Sequence, residues 1–270
     1  MNFFPCILFF YTKIIALYAS GANVNDAILR GLDLISRPEY TQDGEKSSNI
    51  YFVTDGEATS GITSSDRILD NVRQANQRNV ALHCLALGNS VDIPFLKKLS
   101  LQNHGFLHHV YADDRVAAEF EAFYDQIKFA ALSNIQLHYS SGLTQQTSLV
   151  GNSERVYMNG GELVSGGQLR NTVPRQMSVR LSATSSTGST NINFRSTVQA
   201  ESGVIGYPDK NITQKIWAYM KIKDFLEKSI ASESETDSSM YKARALEFSE
   251  QVSPSSFHKV MKLIQQSLSL

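Results

Sequence analysis

The sharpest chemical feature of the sequence is a Thr-Asp-Gly-Glu run at residues 54–57, directly after the apolar, β-branched segment 50–53. A buried strand would fix the backbone there, and the glycine would let the chain turn at once. The Asp55 carboxylate would then point into the crevice beyond the strand. It could bind a hard cation such as Mg²⁺, which takes oxygen ligands. The same residues also fit an ordinary turn capped by the aspartate, so the motif alone leaves both interpretations open.

The histidines and cysteines give weaker signals. His104 and His108 are four residues apart, but Gly105 interrupts the helix that would align them. His108 and His109 should point to opposite faces of a strand, so we expect packed or solvated imidazoles rather than a metal site. Cys84 lies within a strand-like run, where a buried, inert thiol is expected. The sequence has no Gly-x-Ser-x-Gly elbow and no Gly-x-x-x-x-Gly-Lys phosphate signature.

The segments that must position these residues alternate between strand-like and helix-like patterns. The strand-like, apolar runs are residues 50–53, 80–87 and 106–111. Three repeats of strand then helix, with short connections, predict a parallel sheet covered by helices on both faces. The predicted fold class is therefore α/β with a doubly wound, mostly parallel sheet. In such a sheet the ligand site lies at the carboxyl ends of the strands, where the Asp55 loop is expected.

Polar residues mark the starts of two of the predicted helices. Asn25 and Asp26 can cap the first helix, and Asp92 with Pro94 stands in the positions favoured at the start of a later one. Side chains of these types accept hydrogen bonds from the free backbone N–H groups of a first helical turn. Both helices should therefore begin close to these residues.

The pattern changes near residue 131. Short alternating runs between Gly, Ser and Asn turns predict a β-rich domain over residues 131–207, built as an antiparallel sandwich or small barrel. Helical periodicity returns over residues 208–251, with a polar linker at 229–239. Residues 252–270 form a tail without a clear pattern.

The first nineteen residues stand apart because they are mostly apolar. Pro5, Thr12 and Lys13 interrupt the run, whereas a membrane-spanning helix needs about twenty apolar residues without such breaks. A secretory signal is possible by length, but its basic first region is missing. Residues 1–19 are thus a leader, an artefact of an incomplete gene model, a displaced strand or a membrane anchor, and no other segment could span a bilayer.

Composition narrows the functional class. The 270 residues include 25 Lys and Arg and 26 Asp and Glu, for a formal net charge of −1. This balance argues against a protein whose main task is to bind nucleic acid, which requires a positive surface. The content of 42% hydrophobic and 19% charged residues is typical of a folded globular protein. Two cysteines cannot build a disulfide framework.

Several separated motifs occur together in one order along the chain. They are Gly-Ala-Asn-Val-Asn-Asp-Ala at 21–27 and the segments 50–57, 80–88, 92–100, 103–105, 123–127, 132–135, 216–219 with Ile222, 225–227 and 243–246. Together they resemble the second half of a von Willebrand factor A domain, and most closely the type found in inter-alpha-trypsin inhibitor heavy chains. The resemblance covers most of residues 20–246 and implies a partial von Willebrand A-type domain, truncated at its start, over residues 20–130.

The resemblance also implies a metal-ion-dependent adhesion site built from three loops. Of these, only the Thr-Asp-Gly loop is present, at Asp55. Ala22 stands where the family pattern has threonine, Asn23 is next in line, and no Asp-x-Ser-x-Ser loop precedes them. We therefore expect no working metal site in this chain, although a full-length form could hold Mg²⁺. The strand that would carry the missing loop is also absent, and either residues 7–10 or residues 14–17 could fill its place.

By resemblance, the chain is a secreted, extracellular binding protein that is not an enzyme. Heavy chains of this family associate with hyaluronan matrix and with a Kunitz-type inhibitor chain, and we expect neither nucleic acid binding nor stable membrane insertion. Secretion would make Asn211, in the sequon Asn-Ile-Thr, a glycosylation site. The alternative is a generic metal-dependent adhesion module that binds an acidic protein ligand. A hydrolase that uses Asp55 near His104 is a third possibility.

Overall fold

The computed structural model describes twelve segments of the chain, and the structural statements below refer to these. They are residues 6–10, 13–17, 21–37, 49–55, 57–111, 116–127, 130–140, 143–158, 162–170, 176–185, 188–197 and 212–252. The chain divides into two compact units. The first is Met1–Ala131 with Met158–Gly160, and the second is Leu132–Tyr157 with Gly161–Leu270.

The first unit contains a five-stranded sheet in the order β2-β1-β3-β4-β5. The strands are β1 (Cys6–Phe10), β2 (Lys13–Leu17), β3 (Asn49–Thr54), β4 (Ala81–Leu87) and β5 (Leu107–Val110). The helices are α1 (Val24–Ser36), α2 (Ser65–Ala75), α3 (Ile93–Gln102) and α4 (Val116–Ile127). Strands β3, β4 and β5 are parallel, as the alternation of strands and helices predicted.

The two remaining strands form an antiparallel hairpin at one edge of this sheet. Strand β1 pairs antiparallel with β3, with Ile7 opposite Val53, and β2 pairs with the outer side of β1. Of the two candidate segments, the one within β1 therefore lies beside β3. Among the interpretations of residues 1–19, a displaced strand agrees with the backbone of the described segments.

Helices cover both faces of the parallel strands, which confirms the doubly wound fold. On one face, residues of α1, α2 and α3 surround fully buried side chains of β3 and β4; this core includes Ile28, Phe52, Ile68, Leu82 and Leu99. Burial of each such side chain contributes about 1.5–3 kcal/mol. A smaller cluster on the other face joins β3, β4 and β5 to Phe123 of α4. These two apolar layers hold the strand ends, and hence the loops that follow them, in fixed positions.

A buried amide network fastens the start of β4 to its surroundings. The Asn76 amide nitrogen donates to the Val80 carbonyl (2.9 Å) and to Asn103 Oδ1 (2.8 Å), and its oxygen accepts from the Val80 N–H (2.7 Å). The Leu82 N–H in turn donates to the Asn103 carbonyl at 3.0 Å. All these groups are satisfied, as buried polar groups must be if they are not to destabilise the fold.

The second unit contains one antiparallel sheet and two helices. Its strands are β6 (Ala130–Tyr139), β7 (Ser153–Met158), β8 (Gln176–Ser185) and β9 (Gly188–Thr197), in the order β7-β6-β8-β9. The helices are α5 (Ile212–Ala231) and α6 (Glu235–Val252). Within the described ranges this is a single four-stranded sheet, so the predicted sandwich or barrel is wrong. Alternation of side chains fixes the two faces of a strand but does not say whether a second layer exists.

The predicted polar linker at 229–239 is also mostly helical. Helix α5 continues to Ala231, with Ser229 buried, and α6 already begins at Glu235. The Ser234 hydroxyl accepts a hydrogen bond from the Asp237 N–H at 3.0 Å, the arrangement of a helix N-cap. The serines of this stretch therefore begin a helix instead of separating two distant elements.

Helix α5 is anchored to the loop that follows β6. The Trp217 indole N–H donates to the Ser148 carbonyl at 2.9 Å. The Lys221 ammonium donates to the carbonyls of Thr147 (3.1 Å) and Leu149 (2.8 Å). Three successive carbonyl groups thus have their donors on one helix.

No helix in the described ranges combines the length and the apolar character needed to cross a membrane.

Candidate functional site

The structure places Asp55 where the sequence predicted it. Strand β3 ends at the buried Thr54, and Asp55 follows as an exposed residue at the carboxyl edge of the parallel strands. Glu57 is exposed in the same loop. Two carboxylates therefore face solvent at the edge where ligands of doubly wound sheets usually bind.

The loop before α1 lies against the segment that follows Asp55. The N–H groups of Thr59 and Ser60 donate to the Ala22 carbonyl at 3.0 and 3.3 Å, and the Ala22 N–H donates to Thr59 Oγ1 at 2.9 Å. Gly61 has a left-handed φ of 68°, and a side chain there would collide with the Asn23 amide. The fold thus brings the Ala22 loop and the Asp55 loop together.

Asn23 acts as the cap of α1. Its Oδ1 accepts from the Asp26 N–H at 3.2 Å, and its Nδ2 donates to Asp26 Oδ2 at 2.8 Å. The Asn25 amide donates to the other Asp26 oxygen (2.8 Å) and accepts from the Asn71 amide (2.9 Å). The cap therefore lies two residues before the predicted one. The oxygens of Asn23 and Asp26 are engaged in this local network.

The residues at this edge do not fit a tight Mg²⁺ site. Magnesium requires near-octahedral oxygen coordination, usually with one or two carboxylates. Ala22 offers no side-chain oxygen, and both Asn23 Oδ1 and Thr59 Oγ1 already accept local hydrogen bonds. Over the segments that the structure describes, no group of three or more His, Cys, Asp and Glu side chains could hold a metal ion. Asp55 is an exposed carboxylate that belongs to no such group in that part of the chain.

The histidines lie apart from Asp55 or pack locally. The His108 ring stacks on Phe123 (centroids 5.3 Å apart), whereas His109 Nε2 lies 2.7 Å from the Gly88 carbonyl, on the other face of β5. His104 precedes β5 and so lies at the amino edge of the parallel strands, opposite the Asp55 edge. The fold does not bring Asp55 and His104 together, which removes the arrangement that a hydrolase would need.

Cys84 is fully buried, as expected for an inert thiol, and burial raises its pKa to about 12. In a Cys6→Ser variant at pH 8, we expect no measurable reaction of Cys84 with a disulfide reagent until denaturant is added, because the thiolate is the reactive form. A Ser90→Cys substitution in the same background puts a thiol at an exposed position and should react within minutes. Comparable rates for the two thiols in the native protein would contradict the buried placement.

Sequence reasoning missed a buried aromatic pair on the α4 side of the sheet. The rings of Tyr51 and His83 stack with centroids 4.9 Å apart, and the centroid of the Phe106 ring lies 4.5 Å from that of His83. Tyr51 Oη and His83 Nε2 are buried and have no hydrogen-bond partner among the described residues. A histidine inside the apolar run of β4 was the signal that could have revealed this pair.

Comparisons with known proteins agree with the motifs. Residues 12–109 match the family model of the von Willebrand factor type A domain. The human inter-alpha-trypsin inhibitor heavy chain H2 is 29% identical over 221 residues, covering 79% of this chain and 23% of that protein. Human heavy chain H4 is 29% identical over 235 residues, covering 85% and 25%. The chain thus spans about a quarter of the length of these relatives.

Among solved structures, the ArnB paralog VWA2 from Sulfolobus acidocaldarius is 16% identical, with a TM-score of 0.43, and the match covers 94% of this chain and 68% of that one. The resemblance recognised in the sequence is confirmed by the family match and by the curated relatives. Residues 12–109 thus match the von Willebrand factor type A domain, and the chain is similar to the inter-alpha-trypsin inhibitor heavy chains over 79–85% of its length.

Proposed function

We propose that this chain is an extracellular binding module of the heavy-chain kind and not an enzyme. Its partners are hyaluronan of the extracellular matrix and a Kunitz-type inhibitor chain. The observation that carries the proposal is the similarity to inter-alpha-trypsin inhibitor heavy chains along 79–85% of the chain, which spans both compact units. Extracellular location is part of the proposal, and Asn211, which lies outside the described residues, stays a predicted glycosylation site.

The carboxyl edge of the first sheet suits docking better than catalysis. Asp55 and Glu57 are exposed there, and His104 lies at the opposite edge of the sheet. Acid–base catalysis needs its groups within hydrogen-bond reach of one substrate atom. This geometry supports a binding role for the edge.

The residues at the same edge also indicate that binding by this chain does not depend on a metal ion. Because Ala22 lacks a side-chain oxygen and the side chain of Asn23 caps α1, Asp55 would have to hold a cation nearly alone. A single carboxylate with water does not retain Mg²⁺ strongly. We therefore propose that hyaluronan association requires no divalent ion.

The test is capture of the purified, secreted chain on immobilised hyaluronan, with EDTA or with millimolar Mg²⁺. We expect the two affinities to agree within about twofold, and Asp55→Ala to bind like the unmodified chain, since a lone exposed carboxylate holds the ion only weakly. Absence of binding under both conditions would overturn the proposal. Loss of binding in EDTA would overturn its metal independence.

A second candidate is a metal-dependent adhesion module that binds an acidic protein ligand. It is favoured by the hydrogen bonds from Thr59 and Ser60 to Ala22, which hold two of the three family loops side by side. Calorimetric titration with Mg²⁺ separates the two candidates. Stoichiometric uptake that Asp55→Ala abolishes would favour this second function, and no saturable heat would support the first.

A further inference from the structure

On strands β6, β8 and β9, one face of the second sheet is polar and mostly exposed, and the positions of these strands described below include no acidic residue. The strand register sets His138, Arg180 and Asn193 side by side across β6, β8 and β9, and sets Gln136 beside Ser182 and Asn191. Apart from the partly exposed Ser182, these side chains are exposed. Arg195 lies on the same face of β9, opposite Ser178. None of these positions is a carboxylate.

The opposite face of the same strands is apolar, which fixes the orientation of the polar one. Leu181 and Ala183 of β8 are buried with Ile135 of β6, and along their strands they alternate with the polar positions Arg180, Ser182 and Gln136. Because side chains alternate along a strand, burial of this set forces the other set outward. The polar face is therefore a consequence of the hydrophobic core of this unit and cannot turn inward without exposing that core.

The two arginines form one cationic patch. Arg180 pairs with Asn193, two residues before Arg195, so the arginines are diagonal neighbours at about 7–8 Å between backbones. Neither guanidinium has an ion-pair partner within the described part of the chain. In contrast, Arg30 and Arg73 in the first unit are paired with aspartates. Two unpaired guanidinium groups on an open face are free to engage an external anion.

We propose that this face binds the uronate carboxylates of hyaluronan. The inference rests on the proposed function and assigns the binding of hyaluronan to Arg180 and Arg195. Guanidinium groups match carboxylates through paired N–H donors, and the amides of Gln136, Asn191 and Asn193 can exchange hydrogen bonds with sugar hydroxyl groups. An open sheet face accommodates an extended chain, whereas small molecules are usually held in concave pockets. Two cations among uncharged polar groups fit a polymer of low charge density better than a sulfated one.

The test compares the Arg180→Gln/Arg195→Gln double variant with the unmodified chain on immobilised hyaluronan at low ionic strength. We expect at least about a tenfold loss of affinity and a shallower dependence on salt, since fewer ion contacts remain to be screened. The matched control is Arg170→Gln/Arg244→Gln, which removes the same charge from exposed positions elsewhere in this unit. The control should bind within about twofold of the unmodified chain.

The outcomes separate the two proposals. If the unmodified chain binds and the Arg180/Arg195 variant binds equally well, this inference is overturned and the proposed function stands. If the unmodified chain does not bind hyaluronan, the proposed function fails, and this inference fails with it. Binding to heparin alone would overturn the choice of polymer. Should the double variant melt at a lower temperature, Arg195→Gln on the outermost strand tests the inference alone, with an expected loss of at least about threefold.

Discussion

Replacement of Gly105 by alanine should destabilise the first unit by about 3 kcal/mol or more. A Cβ atom at this position would overlap the Leu82 carbonyl and lie 3.0 Å from the His83 nitrogen. These are backbone atoms of β4, so they cannot rotate away as the end of a side chain could. The segment that carries Gly105 must move off β4, and urea unfolding followed by circular dichroism measures the cost.

Hydrogen bonds on both sides of Gly105 show why movement of this segment away from β4 destabilises the fold. The Leu82 N–H donates to the Asn103 carbonyl at 3.0 Å, and the Cys84 N–H donates to the Phe106 carbonyl at 2.9 Å. Displacement of the chain between them weakens both. The matched control is Gly166→Ala, whose nearest contact is the side-chain atom Cδ1 of Trp217 at 3.2 Å, and which should cost less than about 1 kcal/mol. Equal unfolding midpoints for the two variants would refute the close approach.

The sequence was sufficient to predict the parallel part of the first sheet. Its three apolar runs are too short for helices, and the stretches between them have helical periodicity, so few topologies remain. The start of α3 was equally visible, since Asp92 accepts from the Phe95 N–H at 3.0 Å and proline follows in the first turn. The exposed position of Asp55 followed from the same logic, because a residue directly after a buried parallel strand must lie at the carboxyl edge.

Features that depend on pairing between distant segments were not predictable. Periodicity identifies a strand and its two faces, but it does not say with which neighbour the strand pairs. Residues 7–10 and residues 14–17 therefore remained alternatives for the position beside β3. The role of Asn23 could not be read either, because a cap and a metal ligand require the same side-chain oxygen and differ only in where it points. Arg180 and Arg195 become neighbours only through the register of β8 and β9.

The buried histidine of β4 makes the first unit sensitive to acid. The Phe106 N–H donates to His83 Nδ1 at 3.3 Å, so the neutral ring carries its proton on Nε2. Protonation of Nδ1 would set two donors against each other and place a charge between the rings of Tyr51 and Phe106. Burial accordingly lowers the pKa of His83 from 6.5 to about 4. The folded protein therefore binds this proton less readily than the unfolded chain does.

The sign of the effect follows from that difference in pKa. Above about pH 6.5 the imidazole is neutral in both states and its contribution to stability is complete; it is then lost as the pH falls towards about 4, by about 3 kcal/mol in total. His83→Phe keeps a ring between Tyr51 and Phe106 but has no group to protonate, so its free energy of unfolding should fall less between pH 7 and pH 4, by about that amount. His138→Asn, which changes an exposed histidine, should retain the steeper fall of the unmodified chain. If the His83→Phe profile is as steep as that of His138→Asn, the acid sensitivity has another origin, and His83 is accessible to protons in the folded state.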